Sequence, residues 1–257
     1  MPANVFFITL LVAFLFSTCS SKQKEDSYVF EKKTKIPHQY VSNKNLLNNY
    51  DEDISRSLSI LLEHKIIINK EFQNDKDKYN ILAVAFPELI RYSAFSDLIE
   101  TASNKLLYIN GGKEAADYSI GYFQMKPSFI EQLEVCSKKY NYHTKFKSLL
   151  IDFRDIKKVR ATRIQRLENI QWQIRYLKAY WSIMDEKYKT KTFLNIEEKI
   201  RFYATAYNYG FTKPDDEILA YQQVKAFPLG KNINNNQIAF SDFSIEFINN
   251  YSSKLNY

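Results

Sequence analysis

The chain has 257 residues, 45% of them hydrophobic and 25% charged, a balance that excludes a disordered chain and allows one domain with tails or two small domains. Only 5 glycines and 6 prolines occur, too few tight turns for a many-stranded β fold, so the sequence reads as mainly α. The formal net charge of +7 suits an anionic partner (nucleic acid, anionic lipid or acidic polymer), but on charge alone a lysine-rich solvated surface is the better account.

Val5 to Phe16 is apolar apart from Thr9. The run is too short to span a membrane comfortably and has the length of a signal-peptide core, so residues 1–18 are expected to be a signal peptide. Phe16-Ser17-Thr18-Cys19 follows, with small residues just ahead of a cysteine. This resembles the lipobox of bacterial lipoproteins, which implies lipidation of Cys19 and a place in the bacterial cell envelope, at the outer membrane, on its periplasmic side or the cell surface. A plain cleaved signal peptide or an uncleaved anchor is the alternative. Residues 19–50 are polar, lack a periodic apolar pattern and read as a lipidated N-terminus and flexible tether. Its start, Lys22-Gln23-Lys24-Glu25-Asp26, resembles the surface-export signal of some Bacteroidetes lipoproteins. Cys136 is the second of only two cysteines; with Cys19 lipidated no intrachain disulfide is possible, and Cys136 is expected to be a packed core thiol.

Residues 51–257 carry the helical pattern. Ile54, Leu58, Leu61 and Leu62 form an amphipathic stripe from Asp51 onward. Tyr79 to Tyr92 is apolar on nearly every side, as a central core helix would be, with Pro87 expected to perturb it. Asp97 to Ile109 is expected to be helical, Lys113 to Met125 irregular or short strand, and Phe129 to Tyr140 helical with Pro127 in its first turn. Asp155 to Lys187 reads as one long charged helix holding Trp172 and Trp181, both expected to pack in the core. Ile196 to Tyr209 should end at Gly210, and further helices are expected around 218–224 and 243–251.

His38, His64 and His143 are scattered, and HExxH, CxxC, GxSxG, GxxxxGK[ST] and GxGxxG are missing, so the enzyme classes they mark lack their signatures. Lys157, Lys158, Arg160, Arg163 and Arg166 spread around their helix and read as a solvated face rather than a nucleic-acid surface. The candidate for chemistry is Glu88, embedded in Ala83-Val84-Ala85-Phe86-Pro87-Glu88-Leu89-Ile90. Burial would raise its pKa and favour the protonated form that a general acid needs. Alternatively Glu88 faces outward or pairs with Arg91.

Two later segments bear on this choice: Ser119-Ile120-Gly121-Tyr122-Phe123-Gln124-Met125 and Ala206-Tyr207-Asn208-Tyr209-Gly210. With Glu88 they give the order Glu, Gly-x-x-Gln, Ala-Tyr-Asn. This resembles the three-motif pattern of the soluble-transglycosylase family of lytic transglycosylases, over roughly Tyr79 to Phe211. Leu89, Tyr122-Phe123 and Tyr209 depart from the usual family residues, and the longer spacing after Glu88 makes Glu100 and Glu114 competing acids. The resemblance implies a goose-lysozyme-like fold, mainly α with a small strand or irregular segment beside the groove. It also implies peptidoglycan glycan strands as substrate, cleavage of the β-1,4 bond between N-acetylmuramic acid and N-acetylglucosamine, and formation of a 1,6-anhydro ring. Glu88 would act as acid and then base, with no metal or cofactor. Ser119, Gly121, Gln124, Met125, Tyr207 and Asn208 would bind substrate. A lysozyme-type hydrolase with Asp97, Glu114 or Asp117 as second carboxylate, and a non-catalytic wall-binding lipoprotein, are the alternatives. No nucleic-acid partner is implied.

Overall fold

The computed structural model describes residues 47–73, 75–95, 102–140, 145–228 and 237–255. The signal peptide 1–18, Cys19, the tether up to residue 46, His38, His143, Asp97, Glu100 and the Asn-rich 232–236 segment lie outside the described residues. The helices in chain order are α1 (Asp51–Glu63), α2 (Lys65–Glu71), α3 (Lys78–Phe95), α4 (Ala102–Gly111), α5 (Pro127–Lys139), α6 (Ile156–Leu167), α7 (Ile170–Lys187), α8 (Ile196–Tyr209), α9 (Asp215–Tyr221) and α10 (Phe240–Glu246). A two-stranded antiparallel sheet, β1 (Lys225–Phe227) with β2 (Ile238–Ala239), completes a mainly α chain.

The centre is α3. Every position from Ile81 to Ile90 is buried, and α1, α7, α8 and α10 pack around the helix. A helix apolar on all sides has no solvent face to offer, so its neighbours enclose it. The expected disturbance at Pro87 does not interrupt α3. The proline removes the amide that would bond the Ala83 carbonyl, and an interior proline costs about 3 kcal/mol. Burial of the apolar side chains around it, at about 1.5–3 kcal/mol each, exceeds that.

The single helix expected from Asp155 to Lys187 is instead two. Glu168 and Asn169 separate α6 from α7. The Asn169 side chain accepts the backbone N–H of Trp172, which caps a new helix. Asp155 and Asn195 cap α6 and α8 in the same way. The solvated basic face of α6 also needs correction: Arg160 and Arg166 are half-buried and donate to the backbone carbonyls of Asn110 and Leu149. Arg163 is buried, held by Glu134, Glu131 and the Tyr108 hydroxyl, so this cation joins α6 to α4 and α5 instead of facing water.

Gly210 stops α8 with a φ of 127°, its N–H returning to the Ala206 carbonyl. Toward the C-terminus α10 opens into a wider π-type turn over Phe247–Tyr251, then a 3-10 turn over Ser252–Leu255. Phe227 of β1 sets its ring edge-on against Phe240 and Phe243, tying the small sheet to α10. Cys136 is buried and forms no disulfide with another described residue. Trp181 is buried, whereas Trp172 is half-buried between the guanidinium groups of Arg166 and Arg175, 4.0 and 4.8 Å from its ring.

Candidate active site

Glu88 occupies the C-terminal half of α3 and is 3% exposed. The surrounding apolar residues of α3 put it there, because a helix enclosed on all sides carries its one carboxylate inward with them. Arg91, one turn on, donates from Nη1 to Oε1 and Oε2, each at 2.8 Å. Burial pushes the Glu88 carboxyl above its ordinary range, and the positive charges of Arg91 and Lys126 oppose that rise. Desolvation of the charged form wins.

The Gly121 segment folds into a tight hairpin. Ile120 and Met125 pair across it through two backbone hydrogen bonds, 3.0 Å from Ile120 N–H and 3.1 Å from Met125 N–H. Gly121 and Gln124, at the two ends of the turn, both have positive φ, 67° and 47°. For glycine this costs little; for glutamine it is strained. The strain is held by a backbone bond from Gln124 N–H to the Gly121 carbonyl and by Gln124 Nε2 donating to the same carbonyl at 2.8 Å. Gln124 Oε1 is buried and has no hydrogen-bond partner among the described residues. A strained residue with an unsatisfied buried acceptor is the kind of feature found at functional sites.

Gln173 of α7, fully buried, clamps the turn from behind. Its Oε1 accepts the Phe123 N–H at 2.8 Å, and its Nε2 donates to the Leu167 carbonyl, at the end of α6, at 2.7 Å. From α8, Tyr207 reaches the same turn: its hydroxyl donates to the Phe123 carbonyl at 2.7 Å. The Tyr207 ring is packed edge-on by Phe129 and Tyr180. Burial, and then the nearby charge of Glu88, push the Tyr207 hydroxyl well above its ordinary range, so it remains a proton donor to Phe123. Glu88, the hairpin and Tyr207 thus come from three distant stretches of sequence and lie close together: Glu88 acts on Tyr207, Lys126 beside the hairpin acts on Glu88, and Tyr207 bonds to the turn.

The other expected residues are placed as follows. Met125 is 1% exposed and belongs to the core. Ser119 is half-buried at the entrance to the hairpin, and Asn208 is half-buried beside Tyr207 with no side-chain hydrogen bond to another described residue. Asp117 is committed to the start of α5, accepting from the N–H and hydroxyl of Ser128 at 3.0 and 2.7 Å. Glu114 is exposed.

Gln173 and Lys126 were not anticipated. Gln173 had a legible signal: it lies on the apolar stripe Ile170, Ile174, Leu177, Trp181, where a polar residue must find partners. Lys126 had none, because its proximity to Glu88 depends on how the hairpin docks.

No family model, curated protein or solved structure matches the chain.

Proposed function

We propose that the protein is a peptidoglycan lytic transglycosylase, cutting between N-acetylmuramic acid and N-acetylglucosamine with Glu88 as acid and base. The observation that carries this reading is the convergence of three separated motifs around one buried carboxylate, with Tyr207 hydrogen-bonded into the Gly121–Gln124 turn. Protonated Glu88 gives its proton to the glycosidic oxygen as the bond breaks. The carboxylate then takes the proton of the muramyl 6-hydroxyl, whose oxygen closes the anhydro ring at C1. One carboxylate serves both steps, with the substrate N-acetyl group assisting, unlike two-carboxylate glycosidases.

The engagement of Asp117 at α5 counts against its use as the water-activating base of a hydrolase. The non-catalytic wall-binding reading draws on a different observation: a carboxylate this buried and bonded through both oxygens to Arg91 is also a sound structural ion pair.

Incubation of the purified protein with peptidoglycan sacculi, followed by mass spectrometry, separates the three. Anhydromuropeptides, lighter by one water, are expected. Reducing-end products would move the assignment to a hydrolase. No release by a folded protein would leave wall binding. Glu88→Gln is expected to lose activity about 10²–10⁴-fold, the usual contribution of a general acid; full activity in this variant would remove Glu88 from the mechanism.

A further inference from the structure

Arg91 is bound on one edge, and its other edge has no hydrogen-bond partner among the described residues. Nη1 serves both oxygens of Glu88, and the guanidinium centre lies 4.8 Å from the centre of the Phe227 ring, which supports it from β1. Nε and Nη2 make no hydrogen bond to another described residue. The Arg91 side chain is 27% exposed, whereas that of Glu88 is 4% exposed. In a guanidinium the Nε–H and Nη2–H bonds run parallel, spaced to meet the two oxygens of a carboxylate. Among the described residues Arg91 therefore leaves a carboxylate fork unused, on a partly exposed side chain whose other edge holds the buried acid.

We propose that this open edge of Arg91 is a receptor for a ligand carboxylate, so that the protein selects glycans carrying acidic stem peptides over neutral chitin-like strands. The identity of the ligand rests on the glycan-cleaving reading above; the receptor rests on the Arg91 geometry. Binding there has a consequence for Glu88. The groups that act on Glu88 are Arg91 of its own helix, Lys126 ahead of α5 and Tyr207 of α8. A second carboxylate on Arg91 divides the cation between two anions and places a like charge nearby. Both effects favour uptake of a proton from solvent by Glu88. Arg91 acts on the reaction through Glu88 and is in that respect a positioning residue.

The test follows the Glu88 carboxyl itself, by NMR of the full chain labelled with ¹³C-glutamate, the signal being assigned by its loss in Glu88→Gln. Two probes are added in turn: a GlcNAc–MurNAc disaccharide bearing its tetrapeptide, which has no MurNAc–GlcNAc bond to cut, and neutral chitotetraose. With the disaccharide-peptide the Glu88 titration midpoint should move up by about one pH unit, the scale of a neighbouring like charge. Chitotetraose should leave it in place. In Arg91→Gln neither probe should move it, and Arg91→Lys, which keeps the charge but not the fork, should give a reduced response. A midpoint unmoved by the disaccharide-peptide, or moved equally by chitotetraose, overturns the receptor. Product release from sacculi is read separately, so a shift without cleavage sinks the enzymatic reading alone, and cleavage without a shift sinks the receptor alone.

Discussion

A methyl group on Gly121 would lie 2.0 Å from Nε2 of Gln173 and 2.7 Å from the Leu167 carbonyl oxygen. The backbone there also has the positive φ that an alanine adopts only at a cost. Gly121→Ala should therefore cost about 2–4 kcal/mol, combining backbone strain with overpacking. Urea unfolding measures it, and a loss below about 1 kcal/mol would mean the turn is not clamped as described. The glycine was legible in sequence as part of Gly-x-x-Gln; its reason was not. The resemblance implies a place beside the substrate, whereas the contact that forbids a side chain is Gln173, 52 residues away in an element of its own. Glu88 was legible in part: its apolar run suggested burial, but the sequence left open both an outward position and a pairing with Arg91, and the structure shows it buried and paired.

At the scale of elements, the junction between α6 and α7 does two things at once. Asn169 starts the second helix, and Gln173, one turn in, reaches back to the last carbonyl of the first and forward to the hairpin. Gln173→Leu would leave the Phe123 N–H and the Leu167 carbonyl buried without partners, which should cost about 2–4 kcal/mol. Hydrogen exchange at Phe123 distinguishes this from a general loss of packing: the Phe123 amide should exchange disproportionately faster, and uniform acceleration across the chain would contradict the clamp. The break escaped the sequence reading because the charged, periodic pattern continues through Glu168 and Asn169 with no glycine or proline to interrupt it. An asparagine is a weak stop signal until its side chain is seen to accept an N–H. The small sheet escaped for a different reason, since strands of three and two residues carry no period to read.

Across the whole molecule, two carboxylates make the stability depend on pH in opposite directions. Glu71 of α2 accepts from Arg175 of α7 at 3.0 and 2.9 Å, and this hydrogen bonding holds its pKa below the ordinary 4.5. Its folded pKa is lower than its unfolded one, so its stabilisation is present above pH 4.5 and is lost as pH falls through the lowered value. Glu88, raised by burial, does the reverse: its contribution falls as pH climbs from 4.5 toward the raised value. Unfolding of the two glutamine variants across pH 3 to 8 should separate them. Glu71→Gln should be less stable than the parent by about 1–2 kcal/mol at neutral pH, with the gap closing in acid. Glu88→Gln should gain relative to the parent as pH rises. A pH-independent difference in either variant would show that the corresponding carboxylate does not titrate as its surroundings require.

The sequence by itself determined the mainly α class, the enclosed helix at the centre, the ends of α8 at Gly210 and of α5 at Pro127, and the order of the three motifs. These are local properties: hydrophobic period, missing or permissive backbone atoms, and residue order are all written along the chain. Tertiary structure alone decided that Tyr207 bonds to Phe123, that Gln173 backs the hairpin, that Arg163 is buried and, among the alternatives for Glu88, that it is both buried and paired with Arg91. Each of these is a hydrogen bond or ion pair whose energy depends on direction and on distance to a few tenths of an ångström. The packing of side chains between helices sets that geometry, and no one-dimensional pattern encodes it.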